Sequence, residues 1–209
     1  MKINSYQEMN GFGMDILREL GSIGTGNAVT ALSNIIATPI SMSLPEVKIM
    51  EYTPAVEFLG GPEKIVAAVL VQMTGEFSGI ILYMLDLDFV NMVLERLSLG
   101  TIKDFSEVDE LRASAVAEVS NIIISSYAGA LGKLADISVN LSVPAMSINM
   151  LGGIMSVPMV QYGYVTDKIM LVDGKCTYSG GEMASHLIMM PDIESLNFLM
   201  EKLGGTEDE

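Results

Sequence analysis

Glu118 and Asn121 are the residues whose types and spacing best suit chemistry in this 209-residue chain. On a helix they lie roughly 60° apart around the axis and about 4.5 Å apart along it, close enough for both to enter one partner site. Ser114, four residues before Glu118, completes a polar row at i, i+4 and i+7, while Val116, Val119, Ile123 and Tyr127 follow another face at core spacing. A carboxamide can orient a water for in-line attack on phosphorus, and a carboxylate can pair with a lysine; rate is then gained by positioning. No strong base or set of metal ligands accompanies the pair. It is half of an active site, and the electrophile, its metal and its charge-stabilising groups have to come from another molecule.

A lone Glu-x-x-Asn is ordinarily just the solvated face of an amphipathic helix. Here the pattern recurs. Asp15, Glu19 and Ser22 stand 99 residues before Ser114, Glu118 and Asn121, and a proline follows each row by 23 positions, Pro45 after Ser22 and Pro144 after Asn121. Asp86, Asn91, Glu95, Arg96 and Leu97 likewise match Asp192, Asn197, Glu201, Lys202 and Leu203, now at an offset of 106. The growth from 99 to 106 implies seven residues added to the second half, with Asp173 to Gly181 the expected place. The domain reading is one body of two repeats, about 14–103 and 107–203, followed by an acidic tail, 204–209.

Other chemistries find no residues. The segment Gly21-Ser22-Ile23-Gly24-Thr25-Gly26-Asn27 is glycine-rich but lies within a helical pattern and lacks the Gly-Lys-Ser/Thr ending of a phosphate loop. One histidine and one cysteine, His186 and Cys176, leave no zinc cluster and no nucleophilic triad, and both read as structural. The single cysteine also rules out an internal disulfide and suits a reducing compartment, so the expected location is the cytoplasm.

Composition agrees with a folded, acidic protein. Half the residues are hydrophobic and 18% are charged, and a formal charge of −15 disfavours nucleic acid and anionic lipid as partners. No run reaches the 18 or so apolar residues of a membrane span, and the opening residues lack the pattern of a signal peptide. The 17 methionines read mainly as core filling.

The elements that must hold these residues follow from periodicity. Met14 to Ile36 and Glu110 to about Leu134 read as long helices, and Asp86 to Leu97 and Ile193 to Leu203 as shorter ones. Gly21, Gly24 and Gly26 weaken the first long helix, which suggests close approach by another element or a face kept uncluttered. Strands are expected at Glu46 to Tyr52, at Lys64 to Met73 and Gly79 to Leu85 as a hairpin, in Ser138 to Leu151, and at His186 to Met190. Gly152-Gly153 reads as a turn, Ile154 to Val172 as two extended pieces parted near Thr166-Asp167, and Asp173 to Gly181 as a polar loop. The fold class is α/β: a pseudo-twofold body in which two long and two short helices pack on a mainly antiparallel sheet, with pairing inside each repeat.

The doubled pattern Asp/Ser-x3-Glu-x2-Asn-x22-Pro resembles the CheC-type chemotaxis phosphatases, whose relatives include CheX and FliY. Ser114, Glu118, Asn121 and Pro144 match it fully; Asp15, Glu19 and Pro45 match in the first copy, where Ser22 replaces asparagine. The resemblance covers essentially the whole chain. Two copies in one chain, and no appended motor domain after the last helix, make the CheC branch the nearer one. It implies hydrolysis of the aspartyl phosphate of the response regulator CheY. In that case Glu118 binds the regulator through its active-site lysine and Asn121 positions the water. The chain then needs no cofactor of its own, the Mg2+ being the regulator's. Ser22 is shorter than asparagine and implies a weak or silent second site at Glu19/Ser22. The resemblance also implies CheD, a receptor deamidase, as a further partner, and so a rival reading as a binding module. The internal pairing leads us to expect a monomer.

Overall fold

The structure, a computed structural model, describes residues 2–43, 45–162, 168–178 and 181–204. Helix α1 (Gly11–Ile35) leads into strands β1 (Ser41–Met42) and β2 (Glu46–Glu51), helix α2 (Tyr52–Phe58), strands β3 (Ile65–Gly75) and β4 (Gly79–Leu85), and helix α3 (Leu87–Arg96). The same order then occurs again: α4 (Glu110–Ala135), β5 (Val139–Leu141), β6 (Ala145–Met150), α5 (Leu151–Tyr162), β7 (Lys168–Tyr178), β8 (Gly181–Pro191) and α6 (Ile193–Gly204).

All eight strands join one antiparallel sheet. Hairpins β3–β4 and β7–β8 meet at its centre, where Leu82 lies opposite Ile188. Pairing is not confined to each repeat, as the sequence suggests. Strands β1 and β2 pair with β7, and β5 and β6 pair with β3, so each half completes the other's sheet edge.

Both sheet faces are covered, which is why β3 and β4 read as continuous apolar runs. Val69, Val71, Ile81, Tyr83, Met170 and Leu187 face a core shared with the long helices and with α3 and α6. Their alternates Ala68, Leu82, Met84, Ile169, Leu171 and Ile188 face a second core closed by α2 and α5. These two helices are additions to the four expected. The Gly152-Gly153 turn and the extended reading from Ile154 are corrected to α5, whose Leu151, Ile154 and Met155 are buried at helical spacing. Gly152 is there for close packing: a Cβ would sit 3.1 Å from Pro62 Cβ. Thr166-Asp167 lies outside the described residues.

The polar loop expected at Asp173 to Gly181 is corrected as well, since β7 continues to Tyr178. Within the strand, Asp173 Oδ2 accepts from Lys48 Nζ at 3.0 Å. Element starts are displaced by 98 or 99 residues as far as α5 and by 103 at β7, so four of the seven extra residues precede β7. Gly204, assigned to the tail by sequence, ends α6, and 205–209 lie outside the described residues. No helix among the described residues is long and apolar enough to cross a membrane.

Candidate functional site

The two polar rows lie on the longest helices, which are started alike. Asn10 accepts from the Gly13 amide and Asp109 from the Arg112 amide, each at 2.9 Å, filling the N-cap position. Helix α6 meets the beginning of α1 and the end of α4: Met200 Sδ lies 3.2 Å from where a Gly13 Cβ would be, and Lys202 donates to Asp136 O at 3.4 Å. The long helices therefore run antiparallel. Their rows sit toward opposite ends of one outward-facing layer.

The crossing is held by a tyrosine seated on a glycine. A Cβ at Gly24 would fall within 2.9 Å of Tyr127 Cδ1, Cε1 and Cγ, so the ring occupies the space a side chain would need. The Tyr127 hydroxyl shares a buried 2.6 Å hydrogen bond with the Thr25 hydroxyl. Burial pushes the Tyr127 phenol up to about 12, so it stays neutral. Gly21 is used similarly, since Val47 Cγ2 lies 2.9 Å and Pro45 Cγ 4.0 Å from its hypothetical Cβ. Around Gly26 there is open space. Of Gly21, Gly24 and Gly26, two serve close approach and one leaves the outer face clear.

Expected site residues fall as follows. Glu118 and Ser114 are exposed and Asn121 is half-buried; Glu19 and Asp15 are exposed and Ser22 is half-buried. Within each helix the structure brings the row together. Between helices it does not merge the two rows into one site. The side chains of Glu118, Asn121, Glu19 and Ser22 take no hydrogen bond or ion pair among the described residues, so they are presented unspent. Asp15 differs from Ser114: its carboxylate pairs with Arg18 at 2.7 Å. Position 117, where α4 matches Arg18, is an alanine, so the Asp15–Arg18 pair has no equivalent on the α4 row.

Pro45 and Pro144 occupy equivalent breaks between two short edge strands, where the missing N–H does no harm. The break is held the same way twice. Ser43 donates its amide to Lys175 O at 2.9 Å and its Oγ accepts from Lys175 N at 3.0 Å; Ser142 does the same with Gln72 at 2.9 and 3.0 Å. The prolines thus shape the edge that supports the helix flank, and neither belongs to a reacting group.

Sequence reasoning overlooked the Tyr127 seat and the clamp of Arg112, which donates to Leu99 O and Glu107 O and ties the start of α4 to the end of α3. The caps were detectable, since Asn10 and Asp109 also stand 99 apart. Both residues set aside as structural lie in the sheet. Cys176 is buried, and its thiol is pushed up to about 11 by that burial. His186 Nδ1 lies 3.1 Å from Asp173 Oδ1, without hydrogen-bond alignment. No group of three or more candidate metal ligands occurs among the described residues.

Comparison with known proteins bears on the family and the fold. The model of the CheC-like family matches residues 12–49, the stretch that carries Glu19, Ser22 and Pro45. The Bacillus subtilis (strain 168) CheY-P phosphatase CheC is 30% identical over 199 residues, covering 92% of this chain and 94% of that protein. Among solved structures, Thermotoga maritima FliY superposes with a TM-score of 0.74 at 22% identity, over 96% of this chain and 100% of that one. The FliM middle domain from H. pylori gives 0.66 at 10% identity, over 93% and 99%. At those identities the structural likenesses speak for the fold alone. The B. subtilis match, nearly end to end, supplies the family: the chain belongs to the CheC-like proteins.

Proposed function

We propose that the protein hydrolyses the aspartyl phosphate of a CheY-type response regulator, with Glu118 and Asn121 as its working pair. The observation that carries this is the presentation of both side chains, unspent and outward, on one turn of α4, in a chain 30% identical to a CheY-P phosphatase. Glu118 pairs with a lysine of the regulator and fixes its orientation. The Asn121 carboxamide reaches into the regulator's site and holds a water in line with the phosphoryl group. The water oxygen bonds to phosphorus as the bond to the aspartyl oxygen breaks, releasing inorganic phosphate and restoring the carboxylate. Mg2+ belongs to the regulator, and this chain supplies position alone.

Two features support one competent site. Ser22 offers a short hydroxyl where Asn121 offers a carboxamide, and the Asp15–Arg18 ion pair occupies the surface that Ser114 and Ala117 leave open on α4. A second reading draws on the same observations: the α1 row captures a regulator, or an adaptor such as CheD, without turnover. Phosphate release from phosphorylated regulator separates the two. Asn121→Ala is expected to lower kcat on the order of 100-fold, the scale of losing a positioned group, and Glu19→Ala to leave most turnover intact. Equal losses from the two substitutions contradict the one-site proposal.

A further inference from the structure

Each motif row begins one turn earlier than the polar residues, with an exposed apolar side chain. Leu111 is 64% exposed on α4 and Phe12 46% exposed on α1, and they too stand 99 residues apart. At about 100° per residue, Leu111, Ser114, Glu118, Asn121, Ser125 and Gly129 all fall within a wedge of roughly 80°. Their exposure in order is exposed, exposed, exposed, half-buried, exposed, exposed, and Phe12, Asp15, Glu19, Ser22, Gly26 and Thr30 repeat that order without a difference. A single exposed leucine carries no message. The same apolar position at the head of both rows does.

We propose that Leu111 is a docking anchor for the regulator that brings its phosphoryl group to Asn121, and that Phe12 is its counterpart on α1. This rests on the regulator being the partner of the α4 row. The row offers, in order, an apolar knob, a carboxylate, a carboxamide and then the small residues Ser125 and Gly129, where nothing projects against an incoming backbone. A surface with an apolar hollow beside a lysine and a phosphorylated carboxylate fits it by shape and by charge. Glu110 at the start of α4 adds to that bias toward a basic surface, whereas Asp109 beside it is paired with Arg112 at 3.3 Å. The Arg112 bonds to Leu99 O bring the end of α3, with Leu97 38% exposed, to the same end of the helix, widening the apolar footing there. Phe12 has folded back in part, since its ring lies 2.9 Å from where a Gly204 Cβ would be. It is the less available of the two anchors.

The test uses the full chain and compares Leu111→Ser, Phe12→Ser, Asn121→Ala and, as a control for surface apolarity, Val157→Ser on α5. KM and kcat are measured for phosphorylated regulator, with thermal melts to confirm folding. Leu111→Ser is expected to raise KM about tenfold with kcat within twofold, a loss of about 1.4 kcal/mol of uniform binding. Val157→Ser is expected to change neither parameter, and Phe12→Ser to weaken stoichiometric capture of a phosphoryl-mimic regulator at the α1 row. An unchanged KM for Leu111→Ser, while Asn121→Ala abolishes turnover, overturns the anchor and leaves the proposed chemistry standing. Undiminished turnover by Asn121→Ala overturns the chemistry on which the anchor depends.

Discussion

Two glycine-to-alanine changes on one helix, two residues apart, should move stability in opposite directions. At Gly24 a new Cβ would lie 2.3 Å from Tyr127 Cδ1, and Tyr127 is 2% exposed and tied to Thr25, so the ring can yield only by disturbing its own packing. Overpacking of this kind costs about 1–3 kcal/mol. Displacing the ring also strains the Thr25 hydrogen bond, worth about 1 kcal/mol. Against this stands the helix-propensity gain of alanine over glycine, about 1 kcal/mol. The net expectation for Gly24→Ala is a loss of about 1–3 kcal/mol. At Gly26 nothing lies within 4 Å of the new Cβ, so only the propensity term remains and Gly26→Ala should gain up to about 1 kcal/mol. For a chain of this size 1 kcal/mol moves Tm by about 2–4 °C, so urea and thermal unfolding resolve both signs. Combining Gly24→Ala with Tyr127→Leu should cost less than the sum of the single changes, because the smaller side chain removes the clash. If both glycine changes stabilise, or both destabilise, Tyr127 is not seated on Gly24 as described.

Alkaline unfolding should follow from the buried thiol and phenols, since burial raises Tyr6 and Tyr83 as well as Tyr127. Burial raises Cys176 from 9.0 to about 11 and Tyr127 from 10.0 to about 12. The unfolded chain therefore loses these protons first, and stability is full below about pH 9 and falls as pH rises toward 12; denaturant midpoints across that range give the slope, and Cys176→Ala should flatten its lower part. The paired asparagines make a separate expectation. Asn197 holds the Ile3 backbone by two bonds of 2.7 Å, and Asn91 holds Ile102 by bonds of 2.8 and 3.0 Å. Asn197→Ala should destabilise by about 1–3 kcal/mol and speed amide exchange at residues 2–10, whereas Asn91→Ala should do so at the linker before α4.

What was legible in the chain was whatever repeated. Glu118 with Asn121, Glu19 with Ser22, the two prolines and the two asparagines all announce themselves by spacing, and the structure places each pair at equivalent points of the same element order. The long helices could be read because core spacing runs unbroken through Leu17 and Leu20, or through Val116, Val119 and Ile123. Helix α5 could not, because Gly152, Gly153 and Pro158 suppress its intrinsic propensity and only packing of Leu151, Ile154 and Met155 into the second core restores it. Helix α2 is short and opens with a proline in its first turn, which reads as a break until Ala55, Val56 and Leu59 are seen to be buried together. In β7 the Asp173-Gly174-Lys175 run imitates a turn, and partners from other strands, Lys48 and His186, keep it extended. Exchange of edge strands between halves was beyond periodicity, which reports faces and not neighbours.

The proposed division of labour along α4 reduces to a turnover count. Phosphorylated regulator in large excess over the protein should be dephosphorylated through many cycles, and Asn121→Ala should slow this on the order of 100-fold while still binding the regulator. Release of no more than one phosphate per protein, or undiminished cycling by Asn121→Ala, contradicts a water held at Asn121.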